Sequence, residues 1–149
     1  RRMVKRTPLT VLPGAQTDFI MSKAAFPCLI GARGSGKTIA SGIKAMMIAG
    51  NYAGAEGCVT CWTFDQVRTR LLPAIRKKFG EQEGKIWEFR RADMEIRFRN
   101  GSIIYLRPAS DPERCRGLTL LFFGMDEAAI GDQAGVTPRA VQQCAHRPG

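Results

Sequence analysis

Apolar residues along this chain follow two spacings, and the pattern predicts strands and helices in turn. Residues 28–30 form a short apolar run that predicts a buried strand, and apolar residues at helical spacing follow over residues 39–47. A second apolar run at residues 58–62 predicts another strand. A later run, residues 118–125, contains Gly124, which can shorten the strand that it predicts.

A capping signal and a proline define the helix after residues 58–62. Thr63 and Gln66 form a T-x-x-Q capping box, in which polar side chains satisfy backbone N–H groups of the first turn. Apolar residues recur on one face of this helix up to Phe79, and Gly80 ends it. Pro73 lies inside the helix, so we expect it to kink or divide the helix.

Residues 87–106 switch to a period of two and predict a β-hairpin. Asn100-Gly101 is a strong signal for a two-residue turn between the strands. Pairing about this turn would set Phe98 beside Ile103. Arg97 would then lie on the face of the hairpin that points away from the core.

An eight-residue loop between the first predicted strand and the first predicted helix has the pattern G-x-x-x-x-G-K-T. Its residues are Gly31, Ala32, Arg33, Gly34, Ser35, Gly36, Lys37 and Thr38. The glycines let backbone N–H groups approach phosphate oxygens, and the helix that follows adds its positive N-terminal end. Lys37 can reach the β- and γ-phosphates, and the Thr38 hydroxyl can ligate Mg²⁺. The segment therefore predicts a binding loop for a nucleoside triphosphate.

Two acidic residues, Asp126 and Glu127, close the last apolar run. Carboxylates at the end of a buried strand are costly unless they hold a cation or polarise water. Beside a phosphate-binding loop, Asp126 would bind Mg²⁺ through its water shell, and Glu127 would orient and deprotonate the attacking water. The alternative is a solvated strand end followed by a helix cap.

Gln16 and Phe19 lie upstream of the loop, ahead of a short predicted helix. An amide and an aromatic ring upstream of such a loop can hold adenine, because the amide reads the base edge and the ring stacks on the base. An ordinary amphipathic helix explains the same spacing equally well, so both interpretations stay open.

Composition favours one compact domain with an anionic partner. The chain has 149 residues and a formal net charge of +10, and much of the positive charge lies in residues 68–107. A nucleic acid is the polyanion that this charge suits, although a solvated basic surface is the alternative. No apolar run approaches the roughly 20 residues of a membrane span.

Two of the cysteines have a spacing that resembles a metal site. Cys58 and Cys61 are separated by two residues, but they lie in a predicted strand. Strand residues three apart face opposite sides of a sheet, which is poor geometry for binding one ion. We therefore expect buried, reduced thiols and not zinc or disulfide chemistry.

The order of these motifs resembles the ATPase domain of the large terminase subunit of tailed bacteriophages, the motor that packages viral DNA. The resemblance begins upstream of the loop with Gln16 and Phe19 and continues through GARGSGKT. It then includes the N-G-S turn at residues 100–102, Arg116-Gly117, and the D-E-A-A sequence that starts at Asp126. Many families share the loop alone, but this arginine-bearing loop followed by the other motifs is much more specific.

The resemblance implies a fold and a role for each site residue. The fold would be an α/β P-loop NTPase of the additional-strand type, with a mostly parallel sheet flanked by helices and a β-hairpin insertion. Lys37 and Thr38 would serve phosphate and metal, and Asp126 the metal. Glu127 would serve the attacking water and Gln16 the adenine. Arg33 would stabilise the charge that develops on the γ-phosphate, although an arginine that faces solvent or pairs with a carboxylate is the alternative.

The resemblance also implies cofactors, partners and a location. The cofactors would be ATP and Mg²⁺. The partners would be double-stranded DNA, a small terminase subunit, a portal protein and further copies of the chain in a ring, without a membrane. The parent protein would work in the host cytoplasm while docked transiently on the viral procapsid.

The chain also departs from this family. The strand with the coupling motif and the nuclease domain do not follow Glu127, so we expect residues 1–149 to be the N-terminal portion of the ATPase domain. In this class of ATPase the additional strand lies between the loop strand and the Asp-Glu strand. Without it the isolated chain would be marginally stable and inactive or nearly so.

Two other functions remain as alternatives. A superfamily 2 helicase also has an upstream glutamine, a P-loop and a D-E-A-x sequence, but its loop usually lacks an arginine at the position of Arg33. A non-catalytic nucleotide-binding module would bind ATP without turning it over.

Overall fold

The computed structural model describes residues 13–31, 34–115 and 117–126. Within these ranges the α-helices are α1 (Ala15–Met21), α2 (Lys37–Asn51), α3 (Phe64–Gln66) and α4 (Leu72–Phe79). The strands are β1 (Glu56–Cys61), β2 (Trp87–Arg90), β3 (Glu95–Phe98), β4 (Ile103–Pro108) and β5 (Phe122–Met125). The sequence also predicts a last helix over residues 138–146, which lies outside the described residues.

The five strands form one mixed sheet in the order β2-β3-β4-β1-β5. Strand β1 is parallel to both of its neighbours, β4 and β5. Strands β2 and β3 extend the sheet as an antiparallel pair beside β4. The three parallel strands and the helices between them confirm the predicted α/β fold, and the antiparallel strands confirm the hairpin addition.

The main core lies between one face of the sheet and helices α2 and α4. Val59 of β1 and Ile104 of β4 pack there against Met46 of α2 and Ile75 of α4, and all four are buried. A smaller cluster joins α1 to α2 through Ile20 and the first half of α2. Helix α2 therefore lies between the sheet and α1, and its N-terminal end is held from both sides.

The predicted cap and proline division of the middle helix are confirmed. The Thr63 hydroxyl accepts a hydrogen bond from the Gln66 N–H at 3.2 Å, and the Gln66 side chain accepts one from the Trp62 N–H at 3.1 Å. A π-helical turn, Val67–Leu71, separates α3 from α4, and Pro73 lies in the first turn of α4. The wider turn suits a proline because proline has no N–H to donate to the preceding turn.

The predicted register of the β3–β4 hairpin is wrong by one residue. Ile96 lies opposite Ile104, and the Phe98 N–H donates to the Ser102 carbonyl at 2.9 Å. The loop therefore has three residues, and the last of them, Gly101, has a φ of 88°. Three-residue hairpins place a left-handed residue at this position, for which glycine is suited. Arg97 is exposed, as predicted.

Residues 28–30 do not form the buried strand that their composition predicts. They pair with none of the described strands, and Ile30 is 90% exposed. A strand needs a neighbour that accepts its backbone hydrogen bonds. Strand β5 forms one edge of the described sheet, and no described strand lies beyond it to receive residues 28–30.

The buried thiols of β1 lie on opposite faces of the sheet, as the two-residue period predicts. Cys61 belongs to the main core, whereas Cys58 packs against Tyr105 and Phe123 on the other face. The two sulfur atoms therefore cannot bind a common ion from the same side.

None of the described helices has both the length and the apolar character that crossing a lipid bilayer requires.

Candidate nucleotide-binding site

The described part of the phosphate-binding loop has the backbone that its glycines predict. Gly34 and Gly36 have φ angles of 81° and 79°, in the left-handed region that residues with a Cβ rarely adopt. Gly36 is also the residue before α2, so the loop leads directly into the N-terminus of that helix. Backbone N–H groups at a helix N-terminus and the positive end of its dipole together favour an anion.

Lys37 folds back over the loop. Its Nζ atom donates to the Gly31 carbonyl at 2.7 Å and to the Ser35 hydroxyl at 3.3 Å. The ammonium group therefore lies beside the loop backbone, within the segment that would surround a phosphate chain. The predicted contact of Lys37 with the β- and γ-phosphates stays a prediction.

Thr38 and Asp126 meet across the site. The Thr38 hydroxyl donates to Asp126 Oδ2 at 2.7 Å. Asp126 follows β5 directly, and its N–H donates to the Thr60 carbonyl of β1 at 2.9 Å, which fixes the strand end beside α2. The predicted meeting of the loop and the first of the two acidic residues is confirmed.

The oxygen atoms of Thr38 and Asp126 suit a magnesium ion. Mg²⁺ prefers hard oxygen ligands and usually retains several waters, so a hydroxyl and one carboxylate are enough protein groups. The Thr38 proton points to Asp126, which leaves hydroxyl lone pairs available to a cation. Among the described residues, no group of three or more histidine, cysteine, aspartate or glutamate side chains forms a separate metal cluster.

Gln16 reaches the phosphate-binding loop from α1. Its Nε2 atom donates to the Ser35 carbonyl at 2.7 Å, and its amide lies against Gly36, where any Cβ would overlap it. The predicted contact with adenine is not tested by this arrangement. The amide is nevertheless part of the site, because it bonds the loop directly.

Three predicted site residues lie outside the described residues. They are Ala32 and Arg33 of the loop, and Glu127, which follows Asp126 in the sequence. Their assigned roles therefore stay predictions.

The sequence pattern did not identify the contacts that hold α2 in place. Asn100 Nδ2 donates to the Ala49 carbonyl at 2.9 Å, near the C-terminus of α2. The buried Ser102 hydroxyl donates to the Tyr52 carbonyl at 2.7 Å and accepts from the Ala55 N–H at 3.0 Å. In the sequence, the N-G-S turn indicates a hairpin and forms part of a motif order, and its polar side chains are the signal that could have revealed these contacts.

Lys44 is a second residue that the sequence pattern did not identify. Its Nζ atom donates to three carbonyls at the end of α1, those of Phe19, Ile20 and Ser22, at 3.0, 3.0 and 2.8 Å. Burial lowers the pKa of Lys44 from its ordinary value. No local signal marks such a lysine, because its partners lie more than 20 residues earlier in the chain.

Ion pairs reduce the positive charge of residues 68–107 at the surface. Arg76 Nη2 lies 2.8 Å from Glu83 Oε1, and the hydrogen bond that it donates to Glu83 raises the pKa of the Arg76 guanidinium. Arg97 lies 3.0 Å from Glu95. Each of these pairs neutralises one guanidinium, so less of this positive charge is left for an anionic partner.

No protein-family model matches the sequence, and no curated protein sequence matches it. Solved structures of phage large terminases do match the fold. The large terminase of a thermophilic bacteriophage superimposes with a TM-score of 0.70 and 19% identity, covering 94% of this chain and 37% of that one. The same protein in complex with ADP gives a TM-score of 0.70 and 20% identity, covering 89% of this chain and 35% of that one.

The large terminase ATPase domain of Thermus phage P74-26 matches with a TM-score of 0.60 and 21% identity, covering 87% of this chain and 59% of that one. This chain therefore has the fold of large terminase ATPase domains. It spans little more than a third of the first of these terminases, the one from the thermophilic bacteriophage.

Proposed function

We propose that this chain is the N-terminal portion of a large terminase ATPase domain, and that its parent protein hydrolyses ATP to drive double-stranded DNA into a viral procapsid. The contact between Thr38 and Asp126 carries this proposal, because it joins a phosphate-binding loop to a carboxylate at a strand end. The fold shared with terminase ATPase domains supports the same assignment, and one of those structures holds ADP.

Each residue of the site has its own role in the proposed reaction. The loop backbone and Lys37 would bind the phosphate chain, and Thr38 with Asp126 would hold Mg²⁺. The bound ion would neutralise charge on the phosphate oxygens. Glu127 accepts a proton from water as the water oxygen bonds to the γ-phosphorus, and the bond from that phosphorus to the ADP oxygen breaks. Arg33 stabilises the charge that develops on the γ-phosphate oxygens.

The direct test is Glu127→Gln in the full-length protein. The amide cannot accept the proton, so ATP turnover should fall by about 100-fold or more. ATP affinity should change little, because the phosphate-binding loop is untouched. Glu81→Gln is the matched control, since Glu81 is an exposed carboxylate on a separate 3₁₀ segment, and its turnover should equal that of the wild type.

Other outcomes identify the alternatives. Bound ATP without turnover in either the wild type or Glu127→Gln would indicate a non-catalytic binding module. ATP-dependent separation of a duplex with a single-stranded tail would indicate a helicase. A terminase motor should move along intact duplex DNA without separating its strands.

The proposal that the protein binds DNA rests on its net charge of +10 and on its likeness to terminases. Affinity for duplex DNA should fall steeply with added salt, with a logarithmic slope of about 0.9 for each phosphate contacted. Different sequences of equal length should bind equally. An affinity that does not change with salt would contradict DNA binding through phosphate contacts.

The same proposal includes the partners and the location. The parent protein would form a ring, meet a small terminase subunit and a portal protein, and act in the host cytoplasm while docked on a procapsid. Protection of DNA from nuclease inside procapsids measures this activity. Lys37→Ala should abolish the protection, and an equal yield of protected DNA without ATP would refute the motor function.

A further inference from the structure

Helix α1 is too short to hold its position by itself. It has seven residues, no side-chain hydrogen bond at its N-cap and no basic residue in its own last turn. Isolated helices of this length are not stable in water, so contacts with the rest of the molecule decide where α1 lies. The arrangement of Gln16 above the phosphate-binding loop depends on these contacts.

Lys44 supplies the main polar contact at the C-terminal end of α1. Its ammonium group has three N–H donors, and the carbonyls of Phe19, Ile20 and Ser22 match that number. The same nitrogen lies 5.5 Å from the centre of the Phe19 ring. A cation at a helix C-terminus is also favoured by the helix dipole. These contacts fix the end of α1 to the middle of α2.

Gln16 fixes the other end of α1 to the loop through its bond with the Ser35 carbonyl. The amide nitrogen carries two N–H groups, and Ser35 uses one of them. The second N–H and the amide oxygen can still meet a base edge. An amide matches adenine, which offers an acceptor at N7 and a donor at N6, better than it matches guanine.

We propose that Lys44 is a positioning residue for base recognition. By fixing the C-terminal end of α1, it would hold the Gln16 amide at the angle that selects adenine over guanine, although Lys44 itself would not touch the nucleotide. This inference rests on the proposed function, since it requires that the site binds a purine nucleotide.

The test compares ATP and GTP as substrates of the full-length protein with Lys44→Met. Methionine keeps most of the apolar side-chain stem but removes all three donors. The KM for ATP should rise by about tenfold, while kcat changes by less than about twofold, because the contact orients the substrate and not the reacting atoms. The preference for ATP over GTP should fall to the value of Gln16→Ala. The double variant, with both Gln16→Ala and Lys44→Met, should have a preference no lower than that of either single variant.

Two further variants separate positioning from general stability. Lys77→Met is the matched control, because Lys77 is an exposed lysine of α4, and the base preference of this variant should equal that of the wild type. Lys44→Arg keeps a cation with several donors and should recover most of the preference for ATP. If Lys44→Met does not fold, Lys44→Gln, which retains an amide donor, replaces it in the same comparison.

Each outcome decides the inference. A KM that rises equally for ATP and GTP would overturn it, since a purely structural lysine would weaken binding of both. Equal use of ATP and GTP by the wild type would overturn it as well, while leaving the ATPase proposal intact. A wild-type protein that binds neither nucleotide would refute the proposed function itself.

Discussion

The Thr38 hydroxyl and the Asp126 carboxylate lie 2.7 Å apart, although 88 positions separate them in the sequence. Strand β1 makes this contact possible, because it pairs with β5 and packs under α2. The C-terminal end of β5 and the N-terminus of α2 therefore lie next to each other, at the carboxyl ends of the parallel strands. Ligand-binding residues of α/β sheets are commonly found at such strand ends.

Two substitutions at Thr38 can distinguish the effect of its hydroxyl on ATP turnover from the effect of its side-chain size. Thr38→Val removes the oxygen that contacts Asp126 and would bind the cation, so ATP turnover should fall by about 100-fold, or about 2.7 kcal/mol in the activation barrier. Thr38→Ser keeps the oxygen and should stay within about fivefold of the wild type. Turnover as a function of Mg²⁺ concentration measures both variants.

Chelation of divalent ions should abolish turnover in the wild type and in Thr38→Ser. A Thr38→Val protein with the Mg²⁺ dependence of the wild type would show that this hydroxyl does not take part in cation binding.

Alanine substitutions at Gly34 and Gly36, the two left-handed glycines of the loop, should weaken ATP binding to different extents. Gly34 has open space around the position of a Cβ, so Gly34→Ala meets only backbone strain, of about 1–2 kcal/mol. At Gly36 a Cβ would also overlap the Gln16 amide. Gly36→Ala should therefore weaken ATP binding by about tenfold more than Gly34→Ala does. Equilibrium binding of a fluorescent ATP analogue measures the difference.

The Gln16→Ala background checks the cause of this difference. Removal of the amide should restore part of the affinity that Gly36→Ala loses, and none of the affinity that Gly34→Ala loses. Equal affinities for the two alanine variants in the wild-type background would contradict the contact between Gln16 and Gly36.

Gly57 allows β1 and β5 to pair closely. A Cβ at this position would overlap the ring of Phe122, its partner across the strands. Gly57→Ala should lower the free energy of unfolding by about 1–3 kcal/mol through overpacking. Gly80→Ala is the control: it has open space and a φ of −61°, so its stability should be unchanged or higher by up to about 1 kcal/mol.

Thermal unfolding of the full chain measures both glycine variants. Phe122→Leu should reduce the penalty of Gly57→Ala, because the smaller side chain makes room for the added methyl group. A Gly57→Ala protein that melts at the wild-type temperature would show that β1 and β5 are not in this register.

Ser102 is a buried connection between the hairpin and the segment after α2. Ser102→Ala leaves the Tyr52 carbonyl and the Ala55 N–H without this partner, so the free energy of unfolding should fall by about 1–3 kcal/mol. Ser110→Ala changes an exposed serine and should shift the same quantity by no more than about 0.5 kcal/mol. Urea denaturation measures the two side by side, and equal midpoints would contradict the proposed connection.

Local signals predicted the parts of this protein in which a residue's neighbours in sequence are also its partners. The Thr63 cap, the division of the helix at Pro73 and the left-handed glycines of the loop depend on a few adjacent residues. The hairpin register was wrong because Asn100-Gly101 favours a two-residue turn. The buried hydrogen bonds of Ser102 support a three-residue loop instead.

The sequence by itself determined the glycine-rich loop of residues 31–38, the helix that follows it and a strand that ends just before Asp126. Their chemistry lies in backbone geometry and side-chain type, both of which are set locally. Only the tertiary structure decided that Asp126 contacts Thr38, that Lys44 holds α1 and that residues 28–30 stay outside the described sheet. Those features depend on which distant backbone groups find hydrogen-bond partners, and no short segment contains that information.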